Sequence, residues 1–259
     1  MAYQTLKFDK DGPIGVLTLN RPERLNALNH AMWEELLAFF QERLKDFDTR
    51  VLILTGAGRG FCAGLDLKET KMVSPDPNDQ YDAKRAYEEQ SYGTYLIVLM
   101  RRAPQPIIAA VNGPAAGAGF SFALASDVRL AAPEAKFLAA YINVGVGGAD
   151  MGSSWFFPRM VGAANASRYL LTGDTFDAQE AFRMGLVQAV VAKEKLMDEA
   201  MALARKMVSK SPLGLRLTKE AITRNIGGAA LEDAIHLEDR NQALCISLLA
   251  QQFKKPGPA

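Results

Sequence analysis

The feature that most constrains the fold is a set of short apolar runs, each closed by a turn and separated from the next by a helix-forming segment. IGVLTLN (14–20) and VLILTG (51–56) are rich in leucine and β-branched residues, a composition typical of buried strands. Between them lies HAMWEELLAFFQERLKDF (30–47), whose apolar residues recur every three or four positions and predict an amphipathic helix. Its predicted buried stripe comprises Trp33, Leu36, Leu37, Phe40, Leu44 and Phe47. Strand, helix and strand in this order predict an α/β fold.

This alternation continues to about residue 160 and then gives way to helices. PIIAAVNG and VRLAA predict two strands that flank an alanine-rich helix at about 117–126. From about residue 165 onward helical patterns dominate, so we predict a core over 1–195 and an α-helical region over 196–259. The stretch KMVSPDPNDQYD (71–82) predicts a surface loop able to cover a ligand, and the final KKPGPA predicts a tail without helix.

Composition excludes several classes of partner. The chain has 259 residues, of which 30 are basic and 29 acidic, and neither sign forms a long block, so nothing indicates binding to nucleic acid or to a membrane surface. Cys62 and Cys245 lack any ligand-like spacing, which predicts no metal site, no disulfide framework and a reducing, cytoplasmic environment. The first ten residues lack the apolar segment of a secretory signal, and prolines interrupt the uncharged stretch 103–126, so we expect no membrane span.

Two glycine-rich turns follow predicted strands, TGAGRGFCAG (55–64) and NGPAAGAG (112–119). Neither has the GxGxxG spacing of a dinucleotide site, and neither contains the Gly-Lys-Ser/Thr of a Walker motif. Two such turns in one α/β region are able to aim one backbone N–H each at a single oxygen, which would make an oxyanion hole. The alternative is a pair of ordinary tight turns.

Ser121 lies in GFSFA, which loosely resembles the nucleophile elbow of serine hydrolases. Such an enzyme needs a histidine base, and the sequence has only His30, at the start of a predicted helix, and His236, in a charged helical run. Surface or helix-capping histidines are the simpler interpretation, and a hydrolase stays as an alternative.

Four blocks in this order closely resemble the crotonase family of acyl-CoA enzymes: LNRPERLNALN (19–29), VLILTGAGRGFCAGLDLKE (51–69), QPIIAAVNGPAAGAGFSFALASDVRLAAPEAKF (105–137) and LTGDTFDAQEAFRMGLVQAVV (171–191). The resemblance covers about residues 5–245. It implies a crotonase-like spiral of ββα units in the core and a helical C-terminal region used to assemble a homotrimer or a dimer of trimers. It also implies an acyl-CoA thioester as substrate, so coenzyme A enters as part of the substrate and no separate cofactor is expected.

In that family two backbone N–H groups hold the thioester carbonyl, and the matching positions in this chain are Leu65 and Ala118. The resemblance therefore implies an oxyanion hole that stabilises a thioester enolate without any side chain. It further implies a CoA and substrate groove, with Arg24 near a phosphate. The groove residues implied in this way are Arg24, Ala27, Ala63, Asp66, Leu67 and Gly117.

The sequence departs from the family at the two glutamates that its hydratases use as general acid and base. Ser121 stands at the position of the first and Tyr141 at the position of the second. Hydroxyl groups with ordinary pKa values of about 10 or more are poor replacements for a carboxylate base at neutral pH. We therefore do not expect ordinary fast enoyl-CoA hydration. Ser121 and Tyr141 are predicted either to orient the acyl group or a water, or simply to fill space.

Asp150, in GVGGADMGSS, is the remaining carboxylate near these positions. Dienoyl-CoA isomerases and the dehalogenase branch of the family place a working aspartate in this loop, although Asp150 is one residue farther from Gly145 than in that pattern. We predict that Asp150 is the acid or base of the reaction. The alternative role is an N-cap for the helix that leads to Trp155.

Together these features predict an enzyme of the enoyl-CoA hydratase/isomerase family that uses Leu65, Ala118 and Asp150. Alternatives are a double-bond isomerase, a decarboxylase or hydrolase of an unusual acyl-CoA, and a CoA-thioester-binding subunit without catalysis. Compared with the family, the C-terminus is shorter by about ten residues. Five aromatic residues suggest an apolar or ring-bearing acyl pocket, although aromatic residues at such spacings more often pack in the core; they are Phe120, Phe122, Tyr141, Trp155 and Phe156.

Overall fold

A computed structural model describes residues 3–69 and 83–253. The predicted ligand-covering loop at 71–82 and the predicted tail KKPGPA lie outside the described residues.

The main sheet of the described chain has six strands in the order β1-β2-β3-β4-β6-β9. Only β1 and β2 pair antiparallel, and the other neighbours are parallel. The strands of the whole fold are β1 (Leu6–Asp11), β2 (Ile14–Leu19), β3 (Val51–Gly56), β4 (Ile107–Val111), β5 (Ala115–Ala116), β6 (Val128–Ala131), β7 (Lys136–Leu138), β8 (Phe176–Asp177) and β9 (Ala189–Val190). The runs predicted as strands became β2, β3, β4 and β6.

A second, smaller sheet consists of β5, β7 and β8. Two isolated bridges extend the same pattern toward the N-terminus, between Cys62 and Ala115 and between Leu28 and Leu65. Each strand of the main sheet from β2 to β6 is thus followed by a stretch that pairs in a second layer. This arrangement matches the spiral of ββα units that the resemblance implied.

The helices in the described residues are α1 (His30–Arg43), α2 (Ala83–Arg102), α3 (Ala118–Ala125), α4 (Ser153–Val161), α5 (Ala163–Thr172), α6 (Ala178–Arg183), α7 (Leu196–Val208), α8 (Pro212–Asn225) and α9 (Leu231–Phe253). None of them is long and apolar enough to cross a membrane. Helix α3 is buried along its whole length because alanine and glycine let it pack closely between the two sheets and α4.

The main sheet is covered on both faces, which explains why VLILTG is apolar throughout. Val51 and Ile53 face a cluster that includes Leu196 and Ala200 of α7. Leu52 and Leu54 face the larger core formed with α1, α2 and α3. Helix α7 therefore packs on the sheet, whereas α9 makes its main contact with α8.

The predicted extent of the first helix was wrong at its C-terminal end. Helix α1 stops at Arg43 rather than at residue 47, because Asp46 accepts hydrogen bonds from the backbone N–H groups of Asp48 and Thr49 and so forms a turn. Phe47 consequently lies outside the buried stripe and is 73% exposed, with the guanidinium of Arg216 4.3 Å from its ring centre.

Candidate active site

A cavity of about 470 Å³ lies between the first turn of α1, the segment after β3, helix α2 and the loop after β7. Seven of the predicted site residues line it together, which are Ala63, Leu65, Leu67, Gly117, Ala118, Tyr141 and Asp150. Ser121 is fully buried behind this wall and contacts two of them. The structure therefore brings the two predicted amides, the hydroxyl pair and the predicted acid or base to one place.

Two backbone turns approach each other at the cavity wall through glycines. Gly64 has φ 91°, and Gly117 has φ 51° and ψ −119°, conformations that residues with a side chain rarely adopt. A Cβ atom on Gly64 would lie 2.9 Å from the carbonyl oxygen of Ala116. One on Gly117 would lie 3.7 Å from Cα of Gly64. Gly64 thus allows the two chain segments to touch, and the unusual backbone conformations of both glycines bring their next amides, Leu65 and Ala118, to the same cavity.

The N–H groups of Leu65 and Ala118 have no hydrogen-bond acceptor within residues 3–69 and 83–253. In the bridge to Leu28, the donors are Leu28 N, to the Gly64 carbonyl at 2.7 Å, and Asp66 N, to the Leu28 carbonyl at 2.9 Å. The Leu65 amide takes no part in that bridge. Ala118 is the first residue of α3, so its amide has no intrahelical acceptor, and the positive end of the helix dipole lies there.

Ser121 and Tyr141 form a buried hydroxyl pair beside the Gly117 turn. Their side-chain oxygens are 2.5 Å apart, and Tyr141 Oη also donates to the Gly117 carbonyl oxygen over 2.8 Å. Burial raises the pKa of the Tyr141 phenol well above its ordinary value, and the charge of Asp150 adds to the increase, although the contact with Ser121 works in the opposite direction. The phenol is therefore protonated at neutral pH.

Asp150 lies in the loop between β7 and α4, where its carboxylate is held by uncharged donors. Its Oδ1 accepts a hydrogen bond from Gln90 Nε2 at 2.7 Å and another from the Met151 amide at 2.6 Å. The N-cap of α4 is Gly152, and within the described residues the Asp150 side chain accepts no N–H from that helix. The alternative interpretation of Asp150 as an N-cap was therefore wrong.

The serine hydrolase alternative finds no support in the hydrogen bonds of Ser121. In the part of the chain that the structure describes, Ser121 Oγ contacts the Tyr141 hydroxyl and, at 3.5 Å, the Asp150 carbonyl oxygen, but no histidine. His30 is exposed at the start of α1, and His236 is exposed on α9. Ser121 thus lacks the base that a nucleophilic serine requires.

A second groove of about 280 Å³ shares Ala63, Leu65 and Leu67 with the cavity. It contains five of the residues predicted for the CoA groove together with two neighbours, and its full lining is Arg24, Ala27, Ala63, Leu65, Asp66, Leu67 and Lys68. Arg24 and Lys68 are exposed, so the groove presents two cationic side chains to solvent.

Asp66 has a structural contact within this groove. Its carboxylate is buried and accepts a hydrogen bond from Arg21 at 3.1 Å. Burial by itself would raise the pKa of Asp66, but the hydrogen bond and charge of Arg21, together with the amides of Lys68 and Glu69, hold that pKa below its ordinary value. Asp66 is therefore ionised and fixes the groove wall through its ion pair.

Four of the five aromatic residues considered for an acyl pocket pack in or against the core, which is the role that their spacing favoured. Phe120 and Phe122 are fully buried in α3, and Phe120 packs edge-on against Phe137, Phe157 and Phe176. Trp155 and Phe156 pack edge to face against each other and do not line the cavity. Only Tyr141 of the five lines the cavity, because the uniformly apolar α3 turns its phenylalanines into the core.

Sequence reasoning missed several residues that line the cavity, chiefly Trp33, Gln90, Val144, Val146 and Met151. Trp33 was assigned to the buried stripe of α1, where its spacing fits. Gln90 lies in a strongly polar part of α2, a pattern that normally indicates a solvated helix face. The valines carry no chemical signal, so only the folded position of their loop identifies them.

Residues 9–254 match the model of the enoyl-CoA hydratase/isomerase family. The chain is 40% identical over 208 residues to 1,2-epoxyphenylacetyl-CoA isomerase of Escherichia coli strain K12, covering 80% of this chain and 77% of that protein. It is 38% identical over 244 residues to the probable enoyl-CoA hydratase EchA12 of Mycobacterium tuberculosis strain ATCC 25618 / H37Rv, covering 93% of this chain and 84% of that protein.

A solved structure gives the same result for the fold. A putative enoyl-CoA hydratase from Thermobifida fusca YX, crystallised in complex with CoA, superimposes with a TM-score of 0.85 at 29% identity over 95% of both chains. The chain therefore belongs to the enoyl-CoA hydratase/isomerase family and is an enzyme of that family with the crotonase fold. The fold and family implied by the sequence blocks are confirmed.

Proposed function

We propose that this enzyme binds an acyl-CoA thioester, stabilises its enolate with the amides of Leu65 and Ala118, and moves a proton with Asp150. The observation that carries the proposal is a pair of N–H groups that have no acceptor in the described part of the chain and lie at the wall of a cavity that adjoins a cationic groove. The groove suits the phosphates of coenzyme A, with Arg24 at one of them. Coenzyme A then arrives with the substrate, and no separate cofactor takes part.

The two amides act on the thioester carbonyl oxygen. When a proton leaves the α-carbon, negative charge develops on that oxygen, and donors fixed before the reaction stabilise it by roughly 2.7–4 kcal/mol each. The amide of Ala118 adds the positive end of the α3 dipole. No side-chain acid is needed at this position, which fits the apolar residues of α3.

Asp150 is the best candidate for proton transfer among the carboxylates that line the cavity. Glu34 accepts a hydrogen bond from the Tyr92 hydroxyl at 2.9 Å, and Glu89 forms an ion pair with Arg85. Asp150 has uncharged partners, both on Oδ1, and its backbone carbonyl lies near Ser121.

One carboxylate and an enolate site suit an isomerisation better than a hydration. In a 3-enoyl-CoA, Asp150 takes the proton from C2, and the electrons of that C–H bond delocalise onto the thioester oxygen and C4. The carboxylic acid then returns the proton to C4, which yields the 2-enoyl-CoA. The likeness to 1,2-epoxyphenylacetyl-CoA isomerase supports isomerisation as the class of reaction. Hydration stays as the second candidate because other relatives are named as probable enoyl-CoA hydratases.

The test is mass spectrometry of 2-enoyl, 3-enoyl and saturated acyl-CoA thioesters incubated with the enzyme in D₂O. Isomerisation predicts deuterium at C2 or C4 without added water, and Asp150→Asn should abolish it. Asp174→Asn, an acid-to-amide change at an exposed position, is the matched control. Addition of water would instead establish hydration. Tight binding of thioesters without turnover or exchange would favour a CoA-binding subunit, and release of carbon dioxide or free CoA would favour a decarboxylase or hydrolase.

We also propose a homotrimer, or a dimer of trimers, as the assembled form. Helix α9 exposes a series of large apolar side chains in the isolated chain, namely Leu231, Ile235, Leu244, Ile246, Leu248 and Leu249. Such a surface is typical of an interface rather than of a solvated helix. Light scattering should give the mass of three or six chains, and Ile246→Asp should lower it, whereas Ser247→Asp on the same helix serves as control.

Both cysteines are free thiols, which fits the proposed cytoplasmic location.

A further inference from the structure

The carbonyl oxygen of Gly117 accepts two hydrogen bonds, and one of them comes from the buried hydroxyl pair. Tyr141 Oη donates to it at 2.8 Å, and the amide of Ser121 donates to it at 3.0 Å as the first bond of α3. A carbonyl oxygen only accepts, so the proton of the Tyr141 phenol lies on this bond. The short contact between Tyr141 and Ser121 must then use the Ser121 proton. The hydroxyls form a directed chain from Ser121 through Tyr141 to the Gly117 carbonyl.

This carbonyl belongs to the same peptide unit as the Ala118 amide. Because a peptide is planar and trans, its C=O and N–H point in opposite directions, and fixing one fixes the other. A hydrogen bond to the oxygen also polarises the unit and strengthens its N–H as a donor, by about 10–30% per bond in cooperative chains. Tyr141 therefore acts on the Ala118 amide through the carbonyl oxygen at the other end of the same peptide unit.

The peptide needs such an anchor because it follows a glycine. Gly117 has φ 51° and ψ −119°, and glycine has more backbone freedom than any other residue. Rotation of this single peptide about its flanking bonds would turn the Ala118 N–H out of the cavity and would break both hydrogen bonds to the Gly117 carbonyl oxygen. Tyr141 is held in turn by burial, and the packed α3 holds Ser121.

We infer that Tyr141 is a positioning residue for the oxyanion hole, which orients and polarises the Gly117–Ala118 peptide with Ser121 as its hydrogen-bond donor. The inference rests on the proposed function, since it assigns a purpose to the Ala118 amide. It differs from the sequence-based expectation that Tyr141 orients the acyl group or a water. Because burial also raises the pKa of the phenol, the donor stays protonated throughout the neutral range.

The first test uses butyryl-CoA labelled with ¹³C at the thioester carbon as a bound probe. Isotope-edited infrared spectroscopy reports hydrogen bonding to its carbonyl as a shift to lower frequency. Tyr141→Phe keeps the ring and removes the hydroxyl, so the band should move part of the way back toward its frequency in free butyryl-CoA. Ser121→Ala should give a smaller movement in the same direction. Tyr87→Phe, at an exposed position of α2, should leave the band unchanged.

Turnover distinguishes positioning from proton transfer. Tyr141→Phe should lower kcat by about tenfold, less than the hundredfold or greater loss expected when a whole oxyanion donor is removed. The pH–rate profile of the variant should keep the shape of the wild-type profile. Loss of one limb of the profile would make Tyr141 an acid or base and would overturn the inference.

Ala118→Pro separates the inference from the proposed function. Proline at the first position of a helix is well tolerated, so this variant removes the amide donor with little change to α3. Binding of unacylated CoA, which has no thioester carbonyl, verifies that it is folded. If Ala118→Pro raises the band and Tyr141→Phe does not, the inference alone fails. If neither variant moves the band, the oxyanion hole itself is wrong.

Discussion

Gln90 donates a hydrogen bond of 2.7 Å from its side-chain amide to Oδ1 of Asp150, although the two residues are 60 positions apart in the chain. The Met151 amide donates to the same oxygen. Within residues 3–69 and 83–253 both bonds to this carboxylate go to Oδ1, so Oδ2 is the oxygen that we expect to exchange a proton with a substrate. Helix α2, through Gln90, fixes the direction of the proposed acid or base.

Gln90→Ala should lower kcat by about tenfold with little change in KM, because the carboxylate gains rotational freedom and general acid–base catalysis depends on its position. Gln90→Glu should move the acid limb of the pH–rate profile to higher pH, since two carboxylates in contact disfavour double ionisation. Steady-state kinetics between pH 4 and 10 would measure both effects.

The control for Gln90 is Gln179→Ala, the same change at an exposed position of α6. It should leave kcat and KM at the wild-type values. Equal loss of activity in Gln90→Ala and in Asp150→Asn would point to disruption of the cavity rather than to orientation of Asp150, and unchanged kinetics in Gln90→Ala would show that the hydrogen bond is irrelevant to turnover.

Gly117→Ala should reduce turnover more than hundredfold, because one displaced oxyanion donor alone accounts for that factor. A Cβ there meets only ordinary contacts, so the cost comes from φ 51° and ψ −119°, which alanine avoids. We expect the free energy of unfolding to fall by about 1–3 kcal/mol. Urea unfolding would measure the stability change, and steady-state kinetics would measure the loss of turnover. The matched control is Gly227→Ala, because Gly227 has no positive φ and a Cβ atom there would meet no atom closer than 3.7 Å. Full activity in Gly117→Ala would refute the role of this turn.

The sequence predicted the parts of the fold that have a long apolar pattern. The central strands β2, β3, β4 and β6 are runs of four to six residues, and their composition identified them. Strands β5, β8 and β9 have two residues each, too few to show any period, and exist only because neighbouring segments pair with them. The end of α1 depended on the turn made by Asp46, which competes locally with the apolar stripe.

The residues of the candidate site show the same difference between what a local sequence pattern predicts and what depends on tertiary contacts. Leu65, Ala118 and the groove residues were predictable because the resemblance identifies their positions within specific blocks. The contact between Gln90 and Asp150 and the bond from Tyr141 to Gly117 join residues far apart in the chain, so they depend on tertiary packing. Ser121 and Tyr141 were identified as departures from a pattern, but only the folded structure shows that they contact each other.

Arg24→Ala should weaken binding of CoA thioesters by about threefold to tenfold while leaving kcat unchanged, because an exposed guanidinium beside a phosphate contributes to binding and not to the reacting atoms. The affinity for the corresponding pantetheine thioester, which lacks the nucleotide phosphates, should not change. Arg205→Ala on α7, whose partner is the exposed Asp11, is the control. Isothermal titration at two salt concentrations would measure the effect, and equal weakening for both thioesters would place Arg24 away from the nucleotide.

Lys219→Met should lower the free energy of unfolding at pH 7 by about 3 kcal/mol, the cost expected when one partner of a buried ion pair is removed. Lys219 Nζ lies 3.0 Å from Asp127 Oδ2 and donates to the Gln105 carbonyl at 2.7 Å, which attaches α8 to the start of β4. Asp127 also pairs with Arg101 at 2.8 Å. Adding Asp127→Asn to Lys219→Met should restore part of the lost free energy of unfolding. As a control, Arg205→Met, which removes one partner of the exposed pair with Asp11, should lower the free energy of unfolding by less than about 1 kcal/mol.

The pH dependence of stability follows from the same carboxylate. Burial would raise the pKa of Asp127, but Lys219 and Arg101 hold it below its ordinary value. A group with a lower pKa in the folded state stabilises the fold above its unfolded pKa of about 3.9, and this stabilisation disappears as the pH falls through the folded value. Wild-type stability should therefore decline below about pH 4 more steeply than that of Asp127→Asn, which has no carboxylate to protonate. Urea unfolding at pH 7, 5, 4 and 3 would measure this difference, and parallel curves for the two proteins would show that Asp127 does not control acid unfolding.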